Sequence, residues 1–301
     1  MAQQFLDPLA ADYVEHGFVV VPNLVDPETI ANLLAETVRI ARGHYPCEGI
    51  EPAPGEWDDK TVLDSILCIH QPHHVSPVMR QALAHPGIVA VLERIVAAHL
   101  PHWDGSVKCM QSMLFVKPPD FPGQAWHQDE IYIPTRDRSL AGAWIALDDA
   151  TIANGCLGVI PGSHRSGCLH PQRPHDDPDE FDASPESHGF DATDEVPVEV
   201  TAGTVVFFNG YLLHRSRRNR SDRYRRVLVN HYMNAWSLLP WSVRGGETPA
   251  TADRRAIVPV SGCDPYAWKG IEPSPNAVTL RSSRAGDAAR EKLSRMNRSG
   301  N

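Results

Sequence analysis

His127, Asp129 and His214 are the residues of this sequence best equipped for chemistry, because together they can offer a metal two imidazoles and one carboxylate. The first two lie in the run Trp126-His127-Gln128-Asp129, and on a strand residues two apart project from the same face. His214 closes a second apolar run, Tyr211-Leu212-Leu213-His214, which also has the character of a strand. Two His and one carboxylate fill three corners of a coordination sphere and leave the rest open. That arrangement suits ferrous iron that must also take oxygen and a co-substrate. A little further on, Arg225 supplies a rigid guanidinium fork matched to a carboxylate.

Strands have to hold these residues. Short apolar runs separated by turn residues occur at 107–117, 123–132, 142–147, 155–160, 196–200, 203–209, 211–216 and 224–233. The pattern predicts a β sandwich or barrel. The stretch between 161 and 196 is too long for an ordinary connection and is expected to be a functional lid or partly disordered. Upstream, residues 9–16 are expected to be a helix and 18–21 a strand. Asp26-Pro27-Glu28 carries the marks of a helix start, and Ile30, Leu33, Leu34, Thr37, Val38 and Ala41 continue it at helical spacing. Residues 44–60 are expected to be a loop, and 77–99 two helices broken at His85-Pro86-Gly87. The division expected is one domain over 1–301. Residues 1–104 give helical support, 105–235 form the core with its insertion at 161–199, and 236–301 form a tail that wraps the core and loosens near residue 285.

Composition narrows the function classes. The 301 residues are 42% hydrophobic, enough for a substantial core. A net charge of −9 disfavours nucleic acid as a partner. The acidity concentrates in 175–199 and the opposite sign in Arg215, Arg217, Arg218, Arg220, Arg223, Arg225 and Arg226; most of both runs is expected to be solvated. No apolar run approaches the ~20 residues a membrane helix needs, and no secretion signal is expected at the start. The six cysteines include no CxxC pair, which fits free thiols in a reducing cytoplasm rather than a zinc site.

Residues 211–233 are expected to form a hairpin with a polar turn over 217–222. In that register Ser216 and Arg225 share a face with His214, so a carboxylate gripped by Arg225 and the Ser216 hydroxyl would reach the metal. Arg226 would point away, and His231 would share the face of Arg225.

Around these positions the sequence resembles the phytanoyl-CoA dioxygenase family of Fe(II)/2-oxoglutarate oxygenases. The resemblance rests on Gln111-Ser112-Met113 with Lys117-Pro118-Pro119, on His127-Gln128-Asp129, on the run from Trp144 to Thr151, on Asn154-Gly155-Cys156-Leu157 and on Pro161-Gly162-Ser163-His164. It closes with His214, Ser216 and Arg225 at the family spacing, and covers roughly residues 10–235. It implies a mainly β fold with flanking helices around a double-stranded β-helix, a cupin-like jelly roll. It also implies Fe(II) at His127, Asp129 and His214, with 2-oxoglutarate held by Gln111, Met113, Trp144, Ser216 and Arg225. Some members use a further lysine upstream of the core strands. The matching stretch, Leu63 to His70, has none, which leaves His70 as a candidate in its place.

The function this predicts is a dioxygenase that consumes O2 and 2-oxoglutarate and hydroxylates an unactivated carbon of a small organic substrate, with release of succinate and CO2. Two alternatives stand beside it. The same iron site could serve desaturation, epimerisation or ring closure, or the jelly roll could be a silent metal- or ligand-binding protein. Asp129 speaks against a halogenase, which leaves the carboxylate position open for chloride. Trp126, Tyr132 and Phe190 are among the candidate substrate-facing residues. Nothing in the sequence fixes the substrate or the oligomeric state.

Overall fold

The computed structural model describes residues 7–238, 257–269 and 278–283, together with Glu291. Helix α1 (Pro8–His16) starts on Asp7, whose side chain accepts hydrogen bonds from the Leu9 and Ala10 amides, and stops at Gly17 in the left-handed region (φ 81°). Strand β1 (Phe18–Val21) follows, then α2 (Pro27–Ala41), capped by Asp26 through the Thr29 amide. After α3 (Asp59–Asp64) and β2 (Ile66–His70) come α4 (Pro77–Leu83) and α5 (Pro86–Ile95). Pro77 and Pro86 each occupy the first turn of their helix, where a missing N–H costs nothing.

The remaining strands are β3 (Val107–Phe115), β4 (Gln124–His127), β5 (Ala141–Ala146), β6 (Leu157–Val159), β7 (Gln172–Arg173), β8 (Glu186–Ser187) and β9 (Val196–Val198). They continue with β10 (Val205–Asn209), β11 (His214–Ser216), β12 (Val227–Asn234), β13 (Val258–Ser261) and β14 (Thr279–Ser282). An 8-stranded sheet has the order β1-β10-β5-β12-β3-β2-β14, with β13 also paired to β3, and a 4-stranded sheet has the order β4-β11-β6-β9. The chain steps from β3 in the larger sheet to β4 in the smaller, returns to β5, crosses to β6 and β9, returns to β10, crosses to β11 and returns to β12. This alternation is the double-stranded β-helix, with flanking helices, that the family resemblance implied.

Side-chain alternation sorts two interiors. On β10, Val205 and Phe207 join the core shared with the helices, while Val206 and Phe208 face the smaller sheet. On β5, Ala143 and Ile145 go to the helical side and Trp144 and Ala146 to the other. Both faces are buried, so these strands show no polar–apolar alternation in sequence.

The hairpin expected over 211–233 does not form. Strand β11 pairs with β4 and β6, whereas β12 pairs with β3 and β5, so the two lie in opposite sheets. The intervening residues are a crossing tied to the end of β3 rather than a free turn. Asn219 is fully buried, and its side-chain amide donates to the carbonyls of Lys117, Pro118 and Arg223.

The opposite charge runs also find each other. Arg215 grips Glu195 with two hydrogen bonds of 2.8 and 2.6 Å, and Arg220 reaches Glu180 at 2.6 Å. The insertion is further clasped at its middle, where the Gly123 amide donates to Glu180 O and the Asp182 amide to Gly123 O. The insertion is therefore pinned at Glu180 and Glu195, while Asp176, Asp177, Asp179, Asp191, Asp194 and Glu199 stay exposed, as expected for most of the acidic run. Several short stretches escaped the sequence reading: α3 begins inside the expected 44–60 loop, β2 had not been expected as a strand, β7 and β8 pair within the 161–196 stretch, and the C-terminal chain returns as the edge strands β13 and β14. The loosening expected near residue 285 lies outside the described residues. Among the described residues no helix is long and apolar enough to cross a membrane.

Gly142 sits on β5 between Phe208 and His231, and a Cβ there would meet the buried Phe208 ring at 2.3 Å. Gly142→Ala is expected to lower stability by ~1–3 kcal/mol through overpacking, measured by urea unfolding.

Candidate active site

His127 ends β4 and His214 begins β11, and the two are direct partners in the antiparallel ladder. Their rings lie 4.1 Å apart between centroids. Each imidazole is oriented by its own strand. His127 Nδ1 lies 2.7 Å from Ala125 O, and His214 Nδ1 lies 2.9 Å from Leu212 O. A carbonyl only accepts, so both Nδ1 atoms carry a proton and Nε2 is the nitrogen through which either imidazole would bind a metal. Asp129, in the short 3-10 turn after β4, places Oδ1 3.7 Å from each Nε2. The ligand atoms of the three residues all lie within 4.8 Å of one another, a grouping that could hold a metal ion.

His231 completes this cluster from β12. Its Nε2 donates to Asp129 Oδ2 at 2.9 Å, which leaves Oδ1 turned towards the imidazoles. Burial, with the neighbouring His214 second, pushes the His127 imidazole down to about 3, so it is neutral at ordinary pH. Burial would raise the Asp129 carboxyl, but His214, His231 and His127 outweigh it and hold the group well below the usual carboxylate range.

The cluster lies in a cavity of about 310 Å³. Gln111 and Met113 from β3, Trp144 from β5, Ser216 from β11 and Arg225 from the start of the β12 return all line it. Ser216 and Arg225 reach it from facing sheets, not as neighbours on one ladder. Arg225 is 6% exposed, its Nε has no partner, and its guanidinium stands 5.6 Å from the Trp144 ring centre. Burial pushes its pKa down to about 10. Arg226 goes the other way and is taken by Asp148 through two side-chain hydrogen bonds of 2.8 and 2.7 Å.

Other expectations fare differently. Tyr132 lines the cavity, but Trp126 and Phe190 do not; they pack edge to face at 5.8 Å in a separate apolar cluster. The reason is strand alternation: with His127 turned inward, Trp126 must turn outward, where Arg215 covers its ring at 4.6 Å. From the insertion it is Asp182, Ser184 and Pro185 that reach the cavity. His70 on β2 lines it too. His164 bonds Val14 O at the surface, away from the cavity. Lys117, 3% exposed and lining the cavity beside Ser216, was missed by sequence reasoning. It stood in the Lys117-Pro118-Pro119 motif of the family resemblance without a site role, because a cation ending an apolar run ordinarily marks a strand running out into solvent.

The comparisons with known proteins agree with this architecture. The sequence profile of the phytanoyl-CoA dioxygenase family matches residues 13–227. A probable phytanoyl-CoA dioxygenase of Caenorhabditis elegans is 33% identical over 239 residues, covering 74% of this chain and 73% of the relative. The phytanoyl-CoA dioxygenase of Arabidopsis thaliana is 35% identical over 140 residues, 45% of this chain; the match spans about half, 49%, of that relative. Among solved structures, the epimerase SnoN in complex with Fe3+, alpha ketoglutarate and nogalamycin RO superposes with a TM-score of 0.60 at 22% identity, over 85% of this chain and 96% of SnoN. At that identity the likeness is one of fold. With the profile spanning most of the chain, the sequence belongs to the phytanoyl-CoA dioxygenase family.

Proposed function

We infer that this protein is an Fe(II)- and 2-oxoglutarate-dependent oxygenase that hydroxylates an unactivated carbon of a small organic substrate. The observation that carries this reading is the pairing of two elements in one cavity. One is a buried His–Asp–His cluster with Nε2 of each imidazole left to bind a metal; the other is a buried arginine with an unpartnered Nε. The donor set fits a ferrous ion, and the orphaned guanidinium fits the distal carboxylate of 2-oxoglutarate. When bound, iron supplies oxygen activation coupled to conversion of 2-oxoglutarate to succinate and CO2.

The chain's own residues do the positioning. His127, Asp129 and His214 hold the metal, and His231 keeps the Asp129 carboxylate turned to it. Arg225 and Ser216 anchor the co-substrate, with Trp144, Met113 and Gln111 forming the walls around it. The clasped insertion, through Asp182, Ser184 and Pro185, narrows the mouth and keeps water from the reacting centre. Epimerisation and ring closure use the same site, and the fold likeness to an epimerase keeps them open as outcomes.

Three outcomes check this reading. Succinate should form from 2-oxoglutarate only with Fe(II), and a turned-over small molecule should gain one oxygen by mass spectrometry. An unchanged product mass would favour epimerisation, and loss of two hydrogens would favour ring closure or desaturation. Arg225→Met should weaken 2-oxoglutarate binding by about 10- to 100-fold, since it removes a charge-assisted carboxylate contact; unchanged affinity would contradict the anchor role. His231→Phe should weaken Ni(II) or Co(II) affinity by roughly 10- to 100-fold in calorimetry. Gln at the same place can still donate to Asp129 and should keep more of that affinity.

A further inference from the structure

Lys117 and Arg225 share one end of the cavity, and among the described residues no carboxylate comes within ion-pair distance of either; Glu180 and Asp182 act on Lys117 only from further off. The Lys117 carbonyl accepts from the Arg225 amide at 3.0 Å, so the two residues are locked together by backbone. The Lys117 ammonium stands 3.4 Å from Ser216 Oγ and donates to the Arg217 carbonyl. Four nearby arginines are treated differently: Arg215 and Arg217 share Glu195, Arg220 has Glu180 and Arg226 has Asp148. Among the described residues neither Lys117 nor Arg225 forms an ion pair.

Burial, with the Arg225 charge second, pushes the Lys117 amine well below its ordinary range. Two like charges out of water repel each other and gain nothing from solvent, so the bare pocket is poised for an anion. An ammonium has three donors. The Arg217 carbonyl takes one and Ser216 can take another, which leaves one to meet an incoming oxygen.

We propose that Lys117 is a second cation for the distal carboxylate of the 2-oxo diacid, gripping it jointly with Arg225 and Ser216. This rests on the co-substrate reading above. It makes the pocket selective for a dicarboxylic over a monocarboxylic 2-oxo acid. The competing role is a structural peg for the Arg217 carbonyl, which would serve any ligand equally.

Binding of 2-oxoglutarate and of 2-oxopentanoate, which has the same carbon chain but no distal carboxylate, separates the two roles. The measurement is calorimetry on the Ni(II)-loaded full chain, with melting temperature recorded for each variant. In Lys117→Met and Lys117→Gln, the Kd for 2-oxoglutarate should rise roughly tenfold or more, and that for 2-oxopentanoate by less than about twofold. Lys117→Gln keeps a donor for the Arg217 carbonyl and decides the matter if the Met variant does not fold. Unchanged 2-oxoglutarate affinity, parallel loss for both ligands, or failure of both variants to fold overturns the proposal. A wild-type chain that binds neither acid overturns the co-substrate reading instead.

Discussion

One short antiparallel pairing carries the site: β4 against β11, with His127 directly opposite His214. Only a few residues long, these strands could not hold that register alone. They hold it because β6 continues the ladder on the far side of β11, and because the larger sheet and its helices close over the inner face. A slip of one residue would turn His214 to the outside and bring Arg215 in. The register also irons out its own conflict. A bulge between His214 and Ser216 shifts the pairing so that Ser216 meets Gln124, and the hydroxyl still faces the cavity.

The second constraint is electrostatic. The protein disposes of most of its cations economically, pairing the arginine crossing with the acidic insertion and Arg226 with Asp148. Arg225 and Lys117 differ in being both buried and without an ion pair, in the same cavity as the His–Asp–His cluster. Leaving a buried charge unpaired costs several kcal/mol. A fold that carries two at one spot is stabilised by the anion that occupies it, so ligand binding and folding are linked here.

Much of this was legible in the sequence, for physical reasons that can be named. His127 and Asp129 were visible because a two-residue spacing at a strand end has few other uses for those residue types. The strands from β3 to β12 that build the two facing sheets were visible as apolar runs between turns, whereas β2 was not. Their assignment to sheets was not, because β12 is buried on both faces and the three-residue β11 is too short to show a pattern, so the two read alike whether they pair or face each other. The Asn219 anchor that sets the crossing looks like an ordinary turn residue in sequence. Trp126 and Phe190 were misplaced because aromatic content was weighed without the alternation that His127 imposes. Lys117 escaped because its burial comes from the crossing folded over it, which no local pattern announces. The edge strands β13 and β14 are short and weakly patterned, and their partners lie far back in the chain.

The central claim is that two imidazoles and one carboxylate hold ferrous iron within reach of a 2-oxo diacid anchored by Arg225. Anaerobic addition of 2-oxoglutarate to the Fe(II)-loaded protein tests it most directly. The account predicts a weak visible metal-to-ligand charge-transfer band that grows to one equivalent and is absent from Asp129→Ala and Arg225→Met at the same concentrations. A wild-type protein that takes up no iron, or that shows no band with the co-substrate in excess, would contradict it.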